Sequence, residues 1–300
     1  MTMKKTAGLA ITSFTILWAL LPPPSLAQPQ AGLSEHAITS AGAERSYLLY
    51  LPASYGREPI PLLIGLHPSG GTPRSLVNIS GFDKLSDRYG FAAVFPAGVF
   101  TNSITARSWN ANVDEGVDDV QFVRDVIEDV AGIVKIDRSR IYASGFSGGA
   151  RMSSRLACEL SDVLAAAAPV AGIQYPDDCT LSRPVPILTF HGKADASNHY
   201  ELRKDSRPYW HMGVETAIDK WRQADDCTLS NEDDRLSQHV TFYQWSDCAG
   251  SSEIRFYLID NGGHTWPGSK VMSENPDRVT NMDIDASELI WEFFSRHRLP

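Results

Sequence analysis

Gly145-Phe146-Ser147-Gly148-Gly149 is the stretch on which the reading of this chain turns. The residues before it, Ser139 to Ser144, are β-prone and partly apolar, and those after it, Ala150 to Leu156 and Ala157, are compatible with helix. Strand, glycine-flanked serine, helix is the setting in which a G-x-S-x-G pentapeptide forms a nucleophile elbow. Such a turn forces Ser147 towards a strained backbone, and only small neighbours let strand and helix approach closely. Its hydroxyl would stand at the C-terminal edge of a sheet, with the Gly148 amide at a helix N-terminus. By itself the pentapeptide equally fits a glycine-rich turn without chemistry, so its partners decide.

The flanking sequence supplies the sheet. Pro61 to Leu66, Phe91 to Phe95, Val163 to Val170 and Val185 to Phe190 are continuous apolar runs, the mark of strands buried on both faces. Arg45 to Leu51 reads as a further strand ended by Pro52, and Arg255 to Ile259 as the last one. Asp118 to Ile133 carries a helical stripe of Val120, Val123, Val126, Ile127 and Val130; helices are also expected at Phe82 to Tyr89 and Ile284 to Arg296. Strands alternating with helices predict an α/β fold, a mostly parallel twisted sheet with helices on both faces. No repeat or Ser/Thr/Pro-rich linker divides it, so one catalytic domain is expected over residues 45–300. Gln174 to Ser182 and Asn198 to Met212 read as loops over the site.

The first 27 residues read as a signal peptide: Lys4-Lys5, an apolar run from Ala7 to Leu21, and small residues at Ser25-Leu26-Ala27 with cleavage before Gln28. The run is short for a membrane span, and no cysteine follows it to take a lipid, so no membrane anchor is expected. Residues 28–44 read as a Pro/Gly/Ala linker. The expected product is exported, extracellular or periplasmic. The formal charge of −9 over 300 residues argues against a nucleic-acid partner, which needs a basic face. Four cysteines suit an oxidising compartment. Cys158 and Cys179 are separated by the same interval as Cys227 and Cys248, yet three connectivities remain open on sequence alone. The spacing lacks the close Cys/His pattern of a zinc site, and no metal is expected.

A serine hydroxyl needs a base, and the base needs an orienting carboxylate. Asp195 lies just beyond the apolar run ending at Phe190, where this architecture places its sites. His264 follows the last strand within Asn261-Gly262-Gly263-His264-Thr265-Trp266, whose glycines permit a tight loop. Ser147, Asp195 and His264 thus stand in the chain order Ser, Asp, His. His191 reads as a support for the loop bearing Asp195. A tetrahedral oxyanion needs amide donors. Gly148 is one; the other falls in His67-Pro68-Ser69-Gly70-Gly71, where Pro68 has no N–H, so Ser69 is expected and Gly70 is the fallback. Asp118 or Asp119 is expected to cap the following helix. Trp109 and Trp266 are candidate walls of a substrate pocket, with core packing as their other reading.

With these pieces assembled, the chain resembles the secreted poly(3-hydroxybutyrate) depolymerase-type esterases of the α/β-hydrolase superfamily, which include feruloyl and acetylxylan esterases. The resemblance runs from about Arg45 to Phe294. It rests on Leu66-His67, Gly81-Phe82-Asp83, Gly90-Phe91, Trp109-Asn110, Gly116-Val117-Asp118-Asp119-Val120, the elbow, Ala168-Pro169-Val170-Ala171-Gly172, Phe190-His191-Gly192, Gly263 to Gly268 and Asp283-Ile284-Asp285-Ala286. It implies a Ser147-Asp195-His264 triad, disulfides Cys158–Cys179 and Cys227–Cys248, no cofactor, and an ester substrate. Gly148 and His67-Pro68-Ser69 depart from the commoner family residues and bear on pocket shape. The expected activity is hydrolysis of feruloyl or acetyl esters on plant polysaccharide. Hydroxybutyrate oligomers are the alternative substrate, peptides a weaker one. A non-catalytic secreted binding protein on a hydrolase scaffold is the reading from a different class.

Overall fold

Strands buried on both faces must be apolar throughout, and the four uninterrupted runs do form the middle of the sheet. The computed structural model describes residues 1–3, 29–56, 58–99, 107–111, 116–230, 234–273 and 278–300. Its strands are β1 (Gly32–Ser40), β2 (Ala43–Leu51), β3 (Ile60–Leu66), β4 (Ala92–Pro96), β5 (Ile136–Phe146) and β6 (Ala166–Val170), then β7 (Ile187–Gly192), β8 (Leu229–Ser230), β9 (Asp234–Arg235), β10 (Val240–Ser246) and β11 (Ile254–Ile259). The helices are α1 (Pro73–Ser80), α2 (Phe82–Tyr89), α3 (Asp119–Ile133), α4 (Gly148–Glu159), α5 (Val214–Ala224), α6 (Lys270–Ser273) and α7 (Ala286–Ser295).

One sheet holds all the described strands, in the order β1-β2-β4-β3-β5-β6-β7-β11-β10-β8, with β9 beside β10. From β4 to β11 the neighbours are parallel; β1, β2 and β10 pair antiparallel at the two sides. Alternation along β3 sends Leu63 to one face and Leu62 and Ile64 to the other. On the first face α1, α2 and α7 pack Leu76, Phe82 and Phe294 against Phe95 and Tyr142. On the second, α3 and α4 bring Val123, Val126 and Leu156 against Ile141 and Ala143. Further along, α5 lays Ala217, Ile218 and Trp221 over Ile187, Ile254 and Phe256. This strand order with helices on both faces is the α/β-hydrolase architecture, in a single domain.

The expected linker at 28–44 is corrected: β1 lies within it and pairs with β2 from Gly32↔Leu51 to Ser40↔Ala43. Ala41 (φ 47°) and Gly42 (φ 79°) make a two-residue turn with both φ positive, the geometry that continues strand twist through a hairpin. An edge strand exposes alternate residues, here Glu35, Ala37 and Thr39, and so reads like linker. The signal-peptide segment lies outside the described residues apart from Met1 to Met3. Among the described residues, no helix is long and apolar enough to cross a membrane. Disulfides join Cys158 at the end of α4 to Cys179, and Cys227 after α5 to Cys248 after β10.

Candidate active site

β5, β7 and β11 are parallel, so their C-terminal ends meet at one edge of the sheet, and Ser147, Asp195 and His264 follow those three ends. Ser147 adopts φ 56° and ψ −111°, a conformation L-residues avoid. It is held there by its N–H, which donates to the Val170 carbonyl (3.0 Å), and by α4 beginning at the next residue. The glycines make the turn feasible: a Cβ on Gly149 would lie 2.0 Å from the Leu66 carbonyl oxygen. A second close approach joins the other two loops. A Cβ on Gly192 would come within 2.1 Å of the Gly262 carbonyl oxygen, so glycine there lets the Asp195 and His264 loops touch. The Ala194 N–H seals that contact by donating to the same carbonyl (2.9 Å).

The three side chains form one hydrogen-bonded line. His264 Nδ1–H donates to Asp195 Oδ2 (2.7 Å), and Ser147 Oγ–H donates to His264 Nε2 (2.8 Å). With a carboxylate on one side and a hydroxyl on the other, the ring is set in the tautomer that leaves Nε2 basic towards the serine. The other carboxylate oxygen of Asp195 accepts the Ser197 and Asn198 amides, each at 2.8 Å. Burial alone raises the Asp195 carboxyl, but the His264 hydrogen bond and charge, with His191 and the Asn198 amide, outweigh it and hold the group below the usual carboxylate range. His191, fully buried, donates from Nε2 to the Asn198 carbonyl (2.8 Å) and stacks on Trp210. Burial lowers its pKa and keeps it neutral, so it supports the Asp195 loop without competing for the carboxylate.

The loop after β3 lies across the elbow. A Cβ on Gly148 would sit 2.9 Å from the Ser69 backbone nitrogen and 2.2 Å from its hydroxyl, so the Ser69 amide lies directly against Gly148. The Gly70 N–H is spent on the Arg107 carbonyl (2.5 Å) and that of Gly71 on the Pro68 carbonyl (2.9 Å). Among the described residues no acceptor takes the Ser69 N–H. His67 fixes this loop: its Nε2 accepts the Gly98 N–H and its Nδ1–H donates to the Pro68 carbonyl, both at 2.9 Å. Burial pushes its pKa down to about 4, so the ring stays neutral and this pattern holds at ordinary pH.

Both tryptophans are buried, in keeping with the core-packing reading of the two left open for them. Trp266 is 1% exposed; its indole N–H donates to Ser287 Oγ (2.9 Å) and its ring packs edge-on against Phe82 and Phe146. Trp109 is buried too, donating to the His67 carbonyl (2.8 Å) and packing on the His67 ring, so it braces the loop carrying Ser69. Asp118 is the residue that caps α3, accepting the Gln121 N–H (2.8 Å). Asp119 has a role that sequence reading missed. It is wholly buried, pairs with Arg45 (2.6 Å) and accepts the Asn110 N–H (2.8 Å), so it anchors the Trp109 segment from below. No group of metal-binding residues occurs among the described residues.

A family profile described as "Esterase PHB depolymerase" matches residues 45–255. The feruloyl esterase B of Piromyces equi is 30% identical over 231 residues, which cover 73% of this chain and 42% of that protein. The bifunctional acetylxylan esterase/xylanase XynS20E of Neocallimastix patriciarum is 28% identical over 248 residues, 81% of this chain and 34% of its own length. The chain thus spans less than half the length of these two curated relatives. Among solved structures, the acetyl xylan esterase from Aspergillus awamori superposes with a TM-score of 0.61 at 16% identity, covering 80% of this chain and 98% of that one.

Proposed function

This chain belongs to the esterase PHB depolymerase family, and on that premise we propose that it is a secreted serine esterase in which Ser147, His264 and Asp195 act as nucleophile, base and orienting carboxylate. The observation that carries the reading is the unbroken line from Asp195 through His264 to Ser147, at 2.7 and 2.8 Å. Ser147 Oγ attacks the ester carbonyl as His264 Nε2 takes its proton. The Gly148 and Ser69 amides hold the oxyanion, and Asp195 stabilises the imidazolium. His264 then passes the proton to the leaving alcohol, leaving an acyl-serine. Water repeats the sequence and frees the acid. Every proton in this cycle is carried by His264, so no cofactor is called for.

The substrates proposed are feruloyl or acetyl esters on plant polysaccharide, in keeping with the names of the relatives. Hydroxybutyrate oligomers are the second reading, favoured by the family description. Export is proposed from the two disulfides and the signal-like N-terminus, and N-terminal sequencing of the mature protein should begin at Gln28. Turnover of methyl ferulate, acetylated xylan and hydroxybutyrate trimer on one preparation tests the assignment. A preference of roughly tenfold for either of the first two supports it. Fastest turnover of the trimer would move the assignment to the second reading, and equal slow rates would remove the substrate class. No turnover of any ester would leave a binding protein on a hydrolase scaffold.

A further inference from the structure

Arg151 lies four residues past Ser147 on α4, and its N–H donates to the Ser147 carbonyl (3.1 Å). Four residues of helix rise about 6 Å, and helical side chains lean back towards the N-terminus, here towards the serine. Its residue is 8% exposed, yet among the described residues its guanidinium makes no hydrogen bond or ion pair. Other shielded arginines here are matched: Arg45 pairs with Asp119, and Arg155 with Glu159 and the Asn110 carbonyl. The described contact of Arg151 is the face of Tyr209, 4.1 Å from guanidinium carbon to ring centroid. Stacking fixes the plane of the fork and leaves its N–H donors unspent. None of the Arg151 guanidinium nitrogens is both sealed from solvent and unpaired, so the unpaired donors keep some access to solvent. Burial pushes the pKa down to about 10, which still leaves a cation at neutral pH.

The surroundings tie this cation to the loop behind Asp195. The Tyr209 carbonyl accepts the Gln174 side-chain amide (3.0 Å), and the adjacent Trp210 stacks on His191 behind Asp195. Arg151 therefore reaches from the nucleophile's helix to the loop that buttresses the carboxylate. We propose that Arg151 is an anion-binding subsite, and that an ester carrying a carboxylate a few bonds from the scissile carbonyl is turned over faster than its neutral counterpart of the same shape. The planar fork suits a carboxylate, which it grips through two parallel hydrogen bonds. This proposal rests on the esterase reading above.

Two matched ester pairs test it by pH-stat: monomethyl adipate against methyl hexanoate, with the charge on the acyl side, and 4-acetoxybutanoate against butyl acetate, with the charge on the alcohol side. The wild type should favour the anionic member of at least one pair by roughly tenfold in kcat/KM, and Arg151→Met should abolish that ratio while Arg151→Lys keeps part of it. No anionic preference in either pair overturns the proposal. So does an equal fall on both members in Arg151→Met, which would leave Arg151 as a clamp on Tyr209. Should Arg151→Met fail to fold, protection of the wild type from a fluorophosphonate by glutarate, and not by glutaramide, decides the matter. If the wild type cleaves neither these four esters nor methyl ferulate, acetylated xylan or the hydroxybutyrate trimer, the esterase reading fails; if it cleaves esters without an anionic preference, only this inference does.

Discussion

Replacing Asp195 with Asn changes one charge and turns one acceptor into a donor while keeping the side chain's shape. Oδ1 of Asp195 accepts two amides, from Ser197 and Asn198, each at 2.8 Å. An Asn must put its oxygen there, because its NH2 would otherwise face two donors. The NH2 then takes the place of Oδ2, 2.7 Å from His264 Nδ1. A donor at that place requires a bare Nδ1, so the ring proton moves to Nε2, where it points at Ser147 Oγ and cannot accept its hydrogen. His191 offers no substitute, since its Nε2–H is held by the Asn198 carbonyl. Trapping a catalytic histidine in the wrong tautomer costs about 10⁴ in kcat, on the order of 5.5 kcal/mol of barrier. Initial rates on 4-nitrophenyl butyrate, with thermal unfolding measured on the same sample, should show that loss with KM little changed. A variant that folds normally and keeps kcat within roughly tenfold of the wild type would refute the role given to Asp195.

Asp225, fully buried, has its carboxyl pKa raised to about 6 by burial, against the opposing hydrogen bonds of Ser252 and Val185. The folded chain therefore binds this proton more tightly than the unfolded one, and stability falls as pH rises from about 4 to about 6. Asp225→Asn cannot ionise, so it should gain up to about 3 kcal/mol over the wild type at pH 8 and lose that advantage near pH 4; denaturant unfolding at both values checks it. Asp119→Ala leaves Arg45 buried without a counter-charge and should cost about 3–5 kcal/mol in chemical unfolding, whereas a loss under about 1 kcal/mol would mean the pair is not sealed from water. Gly148→Ala should push the Ser69 amide away and lower kcat about 10²-fold with little change in thermal stability, and a wild-type rate would remove Ser69 from the oxyanion site.

The middle of the fold was legible because a doubly covered strand has no choice of composition. β3, β4, β6 and β7 are apolar end to end, and the elbow's glycines leave few alternatives. At the sides of the sheet this constraint weakens. β1 mixes small, polar and apolar residues on both faces, and β10 carries Phe242 on one face with Tyr243 and Trp245 on the other, so neither declares itself. Two further helices carry legible signals: Val214, Ala217, Ile218 and Trp221 at helical spacing in α5, and Thr72-Pro73 as cap and first residue of α1. Ser147, Asp195 and His264 were legible as a set because each follows a strand end that parallel topology brings to one edge. The tryptophans and Asp119 were not. Whether an indole faces ligand or core depends on where its loop folds back, and the partner of Asp119 is Arg45, 74 residues away.

Fluorophosphonate treatment followed by peptide mapping bears most directly on the claim that Ser147 is a nucleophile activated by His264 and Asp195. A single adduct is predicted on the peptide containing Gly145-Phe146-Ser147, absent from Ser147→Ala and formed at least about 10³-fold more slowly in His264→Ala. An adduct on another residue, or an unlabelled wild type, would contradict it.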